Sequence, residues 1–368
     1  MRSARVVGAL GWGLLGGYVA LSVLRDVMAR RAWRPPAEGP EPDVVVLQPI
    51  LSGDPYLAEQ LAANLANHPR ARFRWLVDEG DDDGQRIARE LAEGRERVEV
   101  RTYESAPEYA NPKVCKLARA VDASDDLVAV LDDDTVLPPG TLARAATLLA
   151  AADLVTGVPY YLPAGGQWSR LVAAFVNGSS LLTYLPLSLV GPPVTINGMF
   201  YLTRRATLES LGGFAAIEDR LCDDYEIAKL YRSAGRVILQ SAVVHPLATT
   251  VSGPGGYIRI MRRWMVFARQ VLNTDLSIAI VALVVLPSLL PLCACVTAVA
   301  SGSWRAGAVV AAAVVLKAAA TASLRRRVPA APASLLGVVA EVVADVVLPL
   351  HVLAAEPRER RGMIIAAV

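Results

Sequence analysis

Hydrophobic residues form long uninterrupted blocks near both ends of the chain. Residues 6–27 (VVGALGWGLLGGYVALSVLRDV) carry charge only at their end, and a run of about twenty such residues is enough to cross the hydrocarbon core of a membrane. Two more apolar blocks, 276–300 and 304–323, are separated by Ser301, Gly302 and Ser303. The pattern predicts an N-terminal membrane anchor and a C-terminal transmembrane hairpin.

Basic residues beside these blocks predict their orientation. The first block is long for a cleaved signal peptide, and arginines follow it in place of a small-residue cleavage site: Arg25, Arg30, Arg31 and Arg34. By the positive-inside rule these arginines place the chain that follows in the cytoplasm. Arg325, Arg326 and Arg327, after the hairpin, agree with this orientation. We therefore expect a multi-pass membrane protein with a cytoplasmic catalytic domain.

A fourth apolar block, 335–355, leaves its path open. It contains Glu341 and Asp345, and three arginines follow it at Arg358, Arg360 and Arg361. A full crossing places those arginines outside, against the positive-inside rule. An interfacial or re-entrant segment is the alternative.

Between the membrane blocks, short apolar runs alternate with helix-like spacing. The runs 44–47, 73–77, 98–102 and 127–131 have the length of buried strands, while helical patterns begin at Leu57 and Gln85. Such alternation predicts an α/β domain with a doubly wound, mostly parallel sheet, which binds ligands at the carboxyl ends of its strands. We expect residues 1–34 to form the anchor, 43–270 the catalytic domain after a proline-rich linker, and 271–368 the membrane region.

Composition supports the membrane assignment and narrows the partners. The mean hydropathy is +0.38 and 54% of the residues are hydrophobic, which is high for a soluble protein. Lys and Arg number 37 against 35 Asp and Glu, so no global field favours nucleic acid. The spacing of the four cysteines predicts free thiols and neither a zinc site nor a disulfide framework.

Acidic clusters follow the predicted strands. Residues 78–84 (DEGDDDG) come after one strand, where a solvated turn is the alternative. Asp132, Asp133 and Asp134 come after another, and three adjacent carboxylates at the end of a buried strand cost repulsion and desolvation unless a cation is supplied. A loop with surface acids is the alternative here. Mg²⁺ or Mn²⁺, held by one or two carboxylates and diphosphate oxygens, suits that position. Asp132 and Asp134, two residues apart, can share the metal and nucleotide contacts.

The third cluster, Asp223, Asp224 and Glu226, begins a helical pattern. Acidic residues are favoured at helix N-termini for structural reasons. A site that already holds a metal and a diphosphate also needs a base for an acceptor hydroxyl, and a carboxylate can serve.

The three clusters resemble, in order, the motifs of family 2 glycosyltransferases with a GT-A fold. VDEGDDDGQ is similar to the nucleotide-binding turn, LDDDT to the DxD metal motif, and NGMFYLTRRATLESLGGF with CDDYE to the acceptor-side motif. Within the superfamily, LQPILSGDPYLAEQL, NPKVCKL, PAGGQWSRL and LCDDYEIAK resemble the ceramide glucosyltransferase group, including bacterial members that glycosylate hopanoids.

The resemblance implies an inverting, metal-dependent transfer from a UDP-sugar donor to the hydroxyl of a membrane lipid, and a role for each acidic cluster. Asp78, Glu79 and Asp83 would hold the uracil and ribose side, with Lys113 close to the nucleotide. Asp132 would face the diphosphate and share the metal with Asp134. Asp224 would be the base, with Asp223 as second choice.

The same resemblance implies a (Q/R)xxRW signature that contacts the diphosphate. Arg263 and Trp264 match it, but Ile260 stands at its first position. Arg259 or Arg262 is the possible substitute.

Several alternatives stay open at this level. His245 could ligate a metal or be a satisfied core histidine, and the apolar stretch around Trp168, Phe175 and Tyr184 could be core or a lipid-facing surface. Rival functions are a processive polysaccharide synthase, a polyprenyl-phosphate sugar transferase and an inactive membrane scaffold. Neither the donor sugar nor the lipid (ceramide, diacylglycerol, hopanoid or sterol) follows from the sequence.

Overall fold

The structure is a computed structural model that describes residues 2–328 except Pro36, Glu38 and Pro163, together with 344, 347, 350, 351, 358–360 and 363–365. For residues 2–10 and the last two segments it describes the backbone only. The fourth apolar block of the sequence, 335–355, therefore lies almost entirely outside the described residues.

Seven strands form one mixed sheet in the order β3-β2-β1-β4-β6-β5-β7. Its strands are β1 Val44–Pro49, β2 Arg72–Asp78, β3 Val98–Tyr103, β4 Leu127–Leu131, β5 Leu154–Tyr161, β6 Phe200–Arg204 and β7 Ile238–Leu247. Only β6 runs antiparallel to its neighbours, β4 and β5. All four predicted strands are present within these bounds, and the predicted mostly parallel sheet is confirmed.

Some helices cover the two faces of the sheet, and others form the apolar blocks near the two ends of the chain. The helices are α1 Arg2–Ala32, α2 Leu57–Asn67, α3 Asp82–Ala92, α4 Pro112–Ala120, α5 Thr141–Leu148, α6 Gln167–Ser188, α7 Arg205–Ser210, α8 Asp223–Ser233, α9 Gly253–Thr274, α10 Ile278–Ile280, α11 Leu286–Ala300 and α12 Trp304–Arg325. A 3₁₀ turn spans Phe214–Ile217, a π-helical turn at Val281–Val285 joins α10 to α11, and two short strands, Arg358–Arg360 and Met363–Ile365, pair antiparallel.

Alternating residues of the central strands point into two separate cores. Val44 and Val46 pack with Leu61 of α2 on one face, whereas Val45 and Leu47 pack with α4 and α8 on the other. Because both faces are covered, β1 is a continuous apolar run, as parallel strands usually are. The chain is doubly wound, as predicted.

Local sequence signals fix where the helices near the site begin. The Asp81 carboxylate accepts a hydrogen bond from Gly84 N at 3.0 Å and caps α3. Asn111 caps α4 through Lys113 N at 3.1 Å, and Pro112 occupies the first turn, where its missing N–H costs nothing. These caps hold both helix N-termini beside the carboxyl ends of β2 and β4.

Three described helices are long and apolar enough to cross a membrane: Gln167–Ser188, Ile278–Ala300 and Trp304–Arg325. The last two form the predicted hairpin around Ser301–Ser303. The first, α6, packs against β5, β7 and α1, and 56% of its most apolar 18-residue stretch is buried within the protein. Leu15 and Tyr18 of α1 pack against α11 and α12, so the predicted anchor and the hairpin form one helical bundle.

Candidate functional site

The site lies where the strand order reverses. From β1 the chain winds outward to β2 and β3, and then returns to place β4 on the other side of β1. Ligands bind α/β sheets in the crevice at such a switch point, beyond the carboxyl ends of the strands. Buried Gln48 at the end of β1 donates to Asp132 O at 3.2 Å and accepts from Trp75 Nε1 at 3.0 Å, which fixes the turn that carries the acidic cluster.

Lys113 joins two of the predicted acidic clusters. Its ammonium lies 2.7 Å from Asp132 Oδ1 and 3.0 Å from Asp223 Oδ2, and it donates to Gly198 O at 3.2 Å. Although burial opposes its charge, the two carboxylates raise the pKa of Lys113 well above its ordinary value. Asp132, directly after β4, and Asp223 on α8 are thus brought together by Lys113.

Asp224, the predicted base, has one oxygen engaged. Its Oδ1 accepts from Tyr225 N at 2.8 Å and from Cys222 Sγ at 2.8 Å. No described residue donates a hydrogen bond to Oδ2. Burial, and then the charge of Asp223, raise the pKa of Asp224 to about 6. A carboxylate with one free oxygen and a pKa near neutrality has the properties of a general base.

Gly198 lets Asp224 approach the sheet. A Cβ at this position would stand 3.0 Å from Asp224 Cβ. Any side chain here would therefore have to displace the carboxylate. Gly198 and Cys222 both contact Asp224 and stand inside or next to the acceptor-side motif, but neither was predicted as a site residue.

The two remaining carboxylates of the second cluster face different partners. Asp133 Oδ2 accepts from Leu51 N at 2.7 Å, and burial with the charge of Asp134 raises the pKa of Asp133 to about 7. Asp134 accepts from the Thr249 hydroxyl at 2.6 Å, and burial followed by the charge of Asp132 raises its pKa to about 6. Thr249, after β7, was not expected from the sequence.

These oxygens fit a divalent metal that takes most of its ligands from a bound donor. Within the described residues no group of three or more His, Cys, Asp or Glu side chains is arranged to hold a metal ion. Asp132 is already paired with Lys113, whereas Asp134 has no cationic partner among the described residues. Mg²⁺ bound through one or two carboxylates plus substrate phosphates requires no larger protein cage.

The carboxylates of the first acidic cluster are divided between contacts within the fold and the surface. The Asp78 carboxylate pairs with nearly buried Lys116 at 2.8 Å. Asp81 accepts from Ser52 N at 2.8 Å and so joins this turn to the loop after β1. Glu79 is exposed, and Asp83 is exposed beside Arg86, 3.4 Å away. None of the predicted uracil and ribose contacts, Asp78, Glu79 and Asp83, is among the described residues that line the cavity beside Asp132, and Asp81 takes the structural role at the helix cap.

The signature arginine and tryptophan lie on α9, against the site. Arg263 lines the same cavity as Asp132 and forms no ion pair with any residue that the structure describes. Trp264 stacks on Phe175 with ring centroids 6.1 Å apart and meets the edge of Tyr161. Ile260 belongs to the apolar cluster beneath Trp264. Arg259 and Arg262 are absent from the described cavity lining, so Arg263 is the signature cation that reaches it.

One cavity of about 1600 Å³ extends from Asp132, Asp224 and Arg263 to the apolar helices α6 and α11. At one end it is lined by Lys113, Asp132, Asp223, Asp224 and Arg263. The remaining walls are largely apolar and come from α6, the loop after it, α9 and the first turns of the hairpin. A polar ligand and a long apolar ligand can therefore meet at the carboxylates.

Two alternatives from the sequence are resolved by this geometry. His245 is fully buried, lies 2.9 Å from Asn197 Oδ1 through Nε2, and has a pKa lowered to about 3 by burial, so it is a neutral core histidine. The apolar stretch on α6 is divided between the core and the cavity wall. Leu181 and Leu185 are core residues, and Phe175 and Tyr184 line the cavity.

The fold and the order of the motifs agree with a known family. The family model described as "Glycosyl transferase family 21" matches residues 14–357. The chain belongs to glycosyl transferase family 21. This membership confirms the predicted glycosyltransferase family, and together with the apolar helices it indicates association with a membrane.

A curated protein is similar in sequence over part of the chain. "Ceramide glucosyltransferase 1" of Caenorhabditis elegans is 24% identical over 200 residues, which cover 53% of this chain and 43% of the relative. The match thus spans less than half the length of that curated protein. It agrees with the resemblance to the ceramide glucosyltransferase group.

Solved structures share the GT-A fold with this family 21 chain. A mannosyltransferase from Pyrobaculum calidifontis, in complex with GDP-mannose and Mn²⁺, matches with a TM-score of 0.56 and 18% identity over 95% of this chain and 99% of that one. S. aureus TarS 1-349 with UDP-GlcNAc matches with a lower TM-score of 0.39 and 14% identity, over 87% of this chain and 95% of that one. The predicted GT-A fold is confirmed.

Proposed function

We propose that this protein transfers one sugar from a UDP-sugar to the hydroxyl of a membrane lipid, ceramide-like or hopanoid-like, with inversion at the anomeric carbon. The observation that carries the proposal is one continuous cavity of about 1600 Å³, with three carboxylates and Arg263 at one end and largely apolar walls toward the hairpin of α11 and α12. The named activity of the Caenorhabditis elegans relative, a ceramide glucosyltransferase, supports the choice of a lipid acceptor.

The donor would occupy the crevice between β1 and β4. Asp78, with Asp83 and Glu79 nearby in the chain, would face the nucleoside, and Lys113 and Arg263 would neutralise diphosphate oxygens. Arg263 is the better candidate for this charge because Lys113 is already shared between Asp132 and Asp223. Trp264, fixed by Phe175 and Tyr161, would hold Arg263 toward the cavity.

A divalent cation, Mg²⁺ or Mn²⁺, would be held by Asp134, with Asp132 as second carboxylate, and by diphosphate oxygens. Such a cation supplies charge stabilisation for the departing nucleoside diphosphate. The Mn²⁺ complex of the Pyrobaculum mannosyltransferase is in line with this expectation. Asp134 is the stronger ligand candidate because no described cation neutralises it.

Asp224 would accept the proton of the lipid hydroxyl. Asp223 is less suited to this role because its carboxylate is committed to Lys113 at 3.0 Å. The acceptor oxygen attacks the anomeric carbon, the bond to the diphosphate breaks, and the proton passes to Asp224 Oδ2. A single displacement of this kind inverts the anomeric centre.

We further propose that residues 43–270 form the catalytic domain, with residues 1–34 and 271–368 anchoring it at the cytoplasmic face. The arginines that flank the first block and the hairpin support this orientation. Anchoring would hold the cavity mouth at the height of the lipid headgroups.

The test is lipid analysis of cells that express the protein. Wild type should produce a new monoglycosylated, phosphate-free lipid by mass spectrometry, and Asp224→Asn should not. Asp219→Asn, at a side chain that is 64% exposed, is the matched control and should behave as wild type. A sugar linked to a polyprenyl phosphate would instead indicate a polyprenyl-phosphate sugar transferase. A polymeric product would indicate a processive polysaccharide synthase.

A further inference from the structure

Four large apolar side chains are exposed at the mouth of the cavity. Leu189 and Val190, just after α6, are 49% and 52% exposed. Leu276, just before α10, is 58% exposed, and Ile278, the first residue of α10, is 89% exposed. Val190 and Ile278 also line the cavity itself. We refer to these four residues as the apolar rim.

The rim lies at the membrane end of the molecule. Ile278 is the first residue of the candidate span Ile278–Ala300, which places it at a bilayer boundary. Helix α6 packs against the π-helical turn Val281–Val285, near the start of the same span. The loop after α6 therefore lies near the height at which the hairpin enters the bilayer.

The loop's backbone suits an interface with lipid. It continues from Val190 through Gly191, Pro192 and Pro193, and each proline removes one N–H that would otherwise need a partner. Irregular backbone is excluded from the lipid-exposed hydrocarbon core because its polar groups stay unpaired. The loop is thus suited to the boundary of the bilayer, with its apolar side chains directed to lipid.

We propose that the apolar rim inserts into the bilayer and that the cavity opens sideways between Val190 and Ile278 into the lipid. The acceptor would enter through this opening and keep its chains in an apolar environment as its hydroxyl reaches Asp224. The proposal rests on the lipid acceptor proposed above and adds the route by which that acceptor arrives.

The direct test is depth-dependent fluorescence quenching in vesicles of phosphatidylcholine brominated near the top of its acyl chains. Val190→Trp should add emission, relative to the unsubstituted protein, that these lipids quench. Val237→Trp is the matched control. Val237 is also 52% exposed, but it precedes β7 at the opposite end of the sheet, so its added emission should not be quenched. Absence of quenching at position 190, or equal quenching at both, overturns the proposal.

A second measurement links the rim to acceptor entry. Leu189→Glu should lower the ratio of transfer to a bilayer-embedded lipid over transfer to a short-chain, water-soluble analogue by on the order of tenfold, because a charge opposes insertion. Val237→Glu should leave the ratio as in wild type. An unchanged ratio in Leu189→Glu contradicts the proposal. The quenching result does not depend on transfer, so a failure of the proposed reaction remains distinguishable from a failure of the rim.

Discussion

Replacing Asp224 by asparagine separates the proposed base from the rest of the site. The amide oxygen can still accept from Tyr225 N and Cys222 Sγ, as Oδ1 does at 2.8 Å in each case. The substitution removes only the ability of the group at the Oδ2 position to accept a proton. General-base catalysis contributes about 10²- to 10⁴-fold, so we expect the transfer rate of Asp224→Asn to fall by that factor.

The same substitution should make the fold more stable at alkaline pH. The pKa of Asp224 is raised from 3.8 to about 6 by burial and by Asp223, so the native state favours the protonated carboxyl. Its stabilising contribution is present below pH 3.8 and is lost as the pH rises through about 6. The difference corresponds to about 3 kcal/mol at pH 8, which a neutral amide avoids.

Three assays together test this reasoning. Transfer should be lost in Asp224→Asn, donor binding by calorimetry should be retained, and the unfolding midpoint should rise at pH 8 but not at pH 4. In wild type, transfer should decline as the pH falls through about 6, since a protonated Asp224 cannot accept the proton. Undiminished transfer would refute the base assignment, and loss of donor binding would place Asp224 on the donor side.

Three further substitutions test other parts of the site. Asp134→Ala should abolish metal-dependent hydrolysis of the donor in detergent, with Asp219→Ala as control; persistence of hydrolysis would refute the metal assignment. Gly198→Ala, whose Cβ would stand 3.0 Å from Asp224 Cβ, should lower the turnover number while donor affinity stays as in wild type; equal loss of both would count against its positioning role. Gly157→Ala would bring a Cβ to 2.8 Å from His245 Nδ1 and against Val243 O, and this overpacking should lower stability by about 1–3 kcal/mol in thermal unfolding; an unchanged midpoint would show that the strands can separate.

The sheet was predictable because its central strands are covered on both faces. The run Val44 to Leu47 is apolar at every position, and it forms β1 with alternating residues in two cores. By contrast, the antiparallel direction of β6 has no local signature. The residues of β6, 200–204, would suit a parallel strand as well as an antiparallel one. Only the path of the preceding chain sets the direction of β6.

The candidate site was predictable where a single segment carries the chemistry. Asp132, Asp134 and Asp224 stand in short acidic motifs that follow strands or begin a helix. Thr249 and Gly198 act through contacts that join distant segments, so no spacing pattern marks them. Asp83 illustrates the opposite case, because the acidic turn engages Asp78 and Asp81 in contacts within the fold and leaves Asp83 in solvent.

The central claim is transfer of one sugar from a nucleotide to a lipid hydroxyl, and product stoichiometry tests it most directly. The purified protein in lipid nanodiscs would receive Mn²⁺ or Mg²⁺, a panel of UDP-sugars and total membrane lipid, with UDP and glycolipid measured together. We predict metal-dependent release of one UDP per monoglycosylated, phosphate-free lipid. Several sugars per product, a sugar linked through a lipid phosphate, or a product formed without metal would contradict the account.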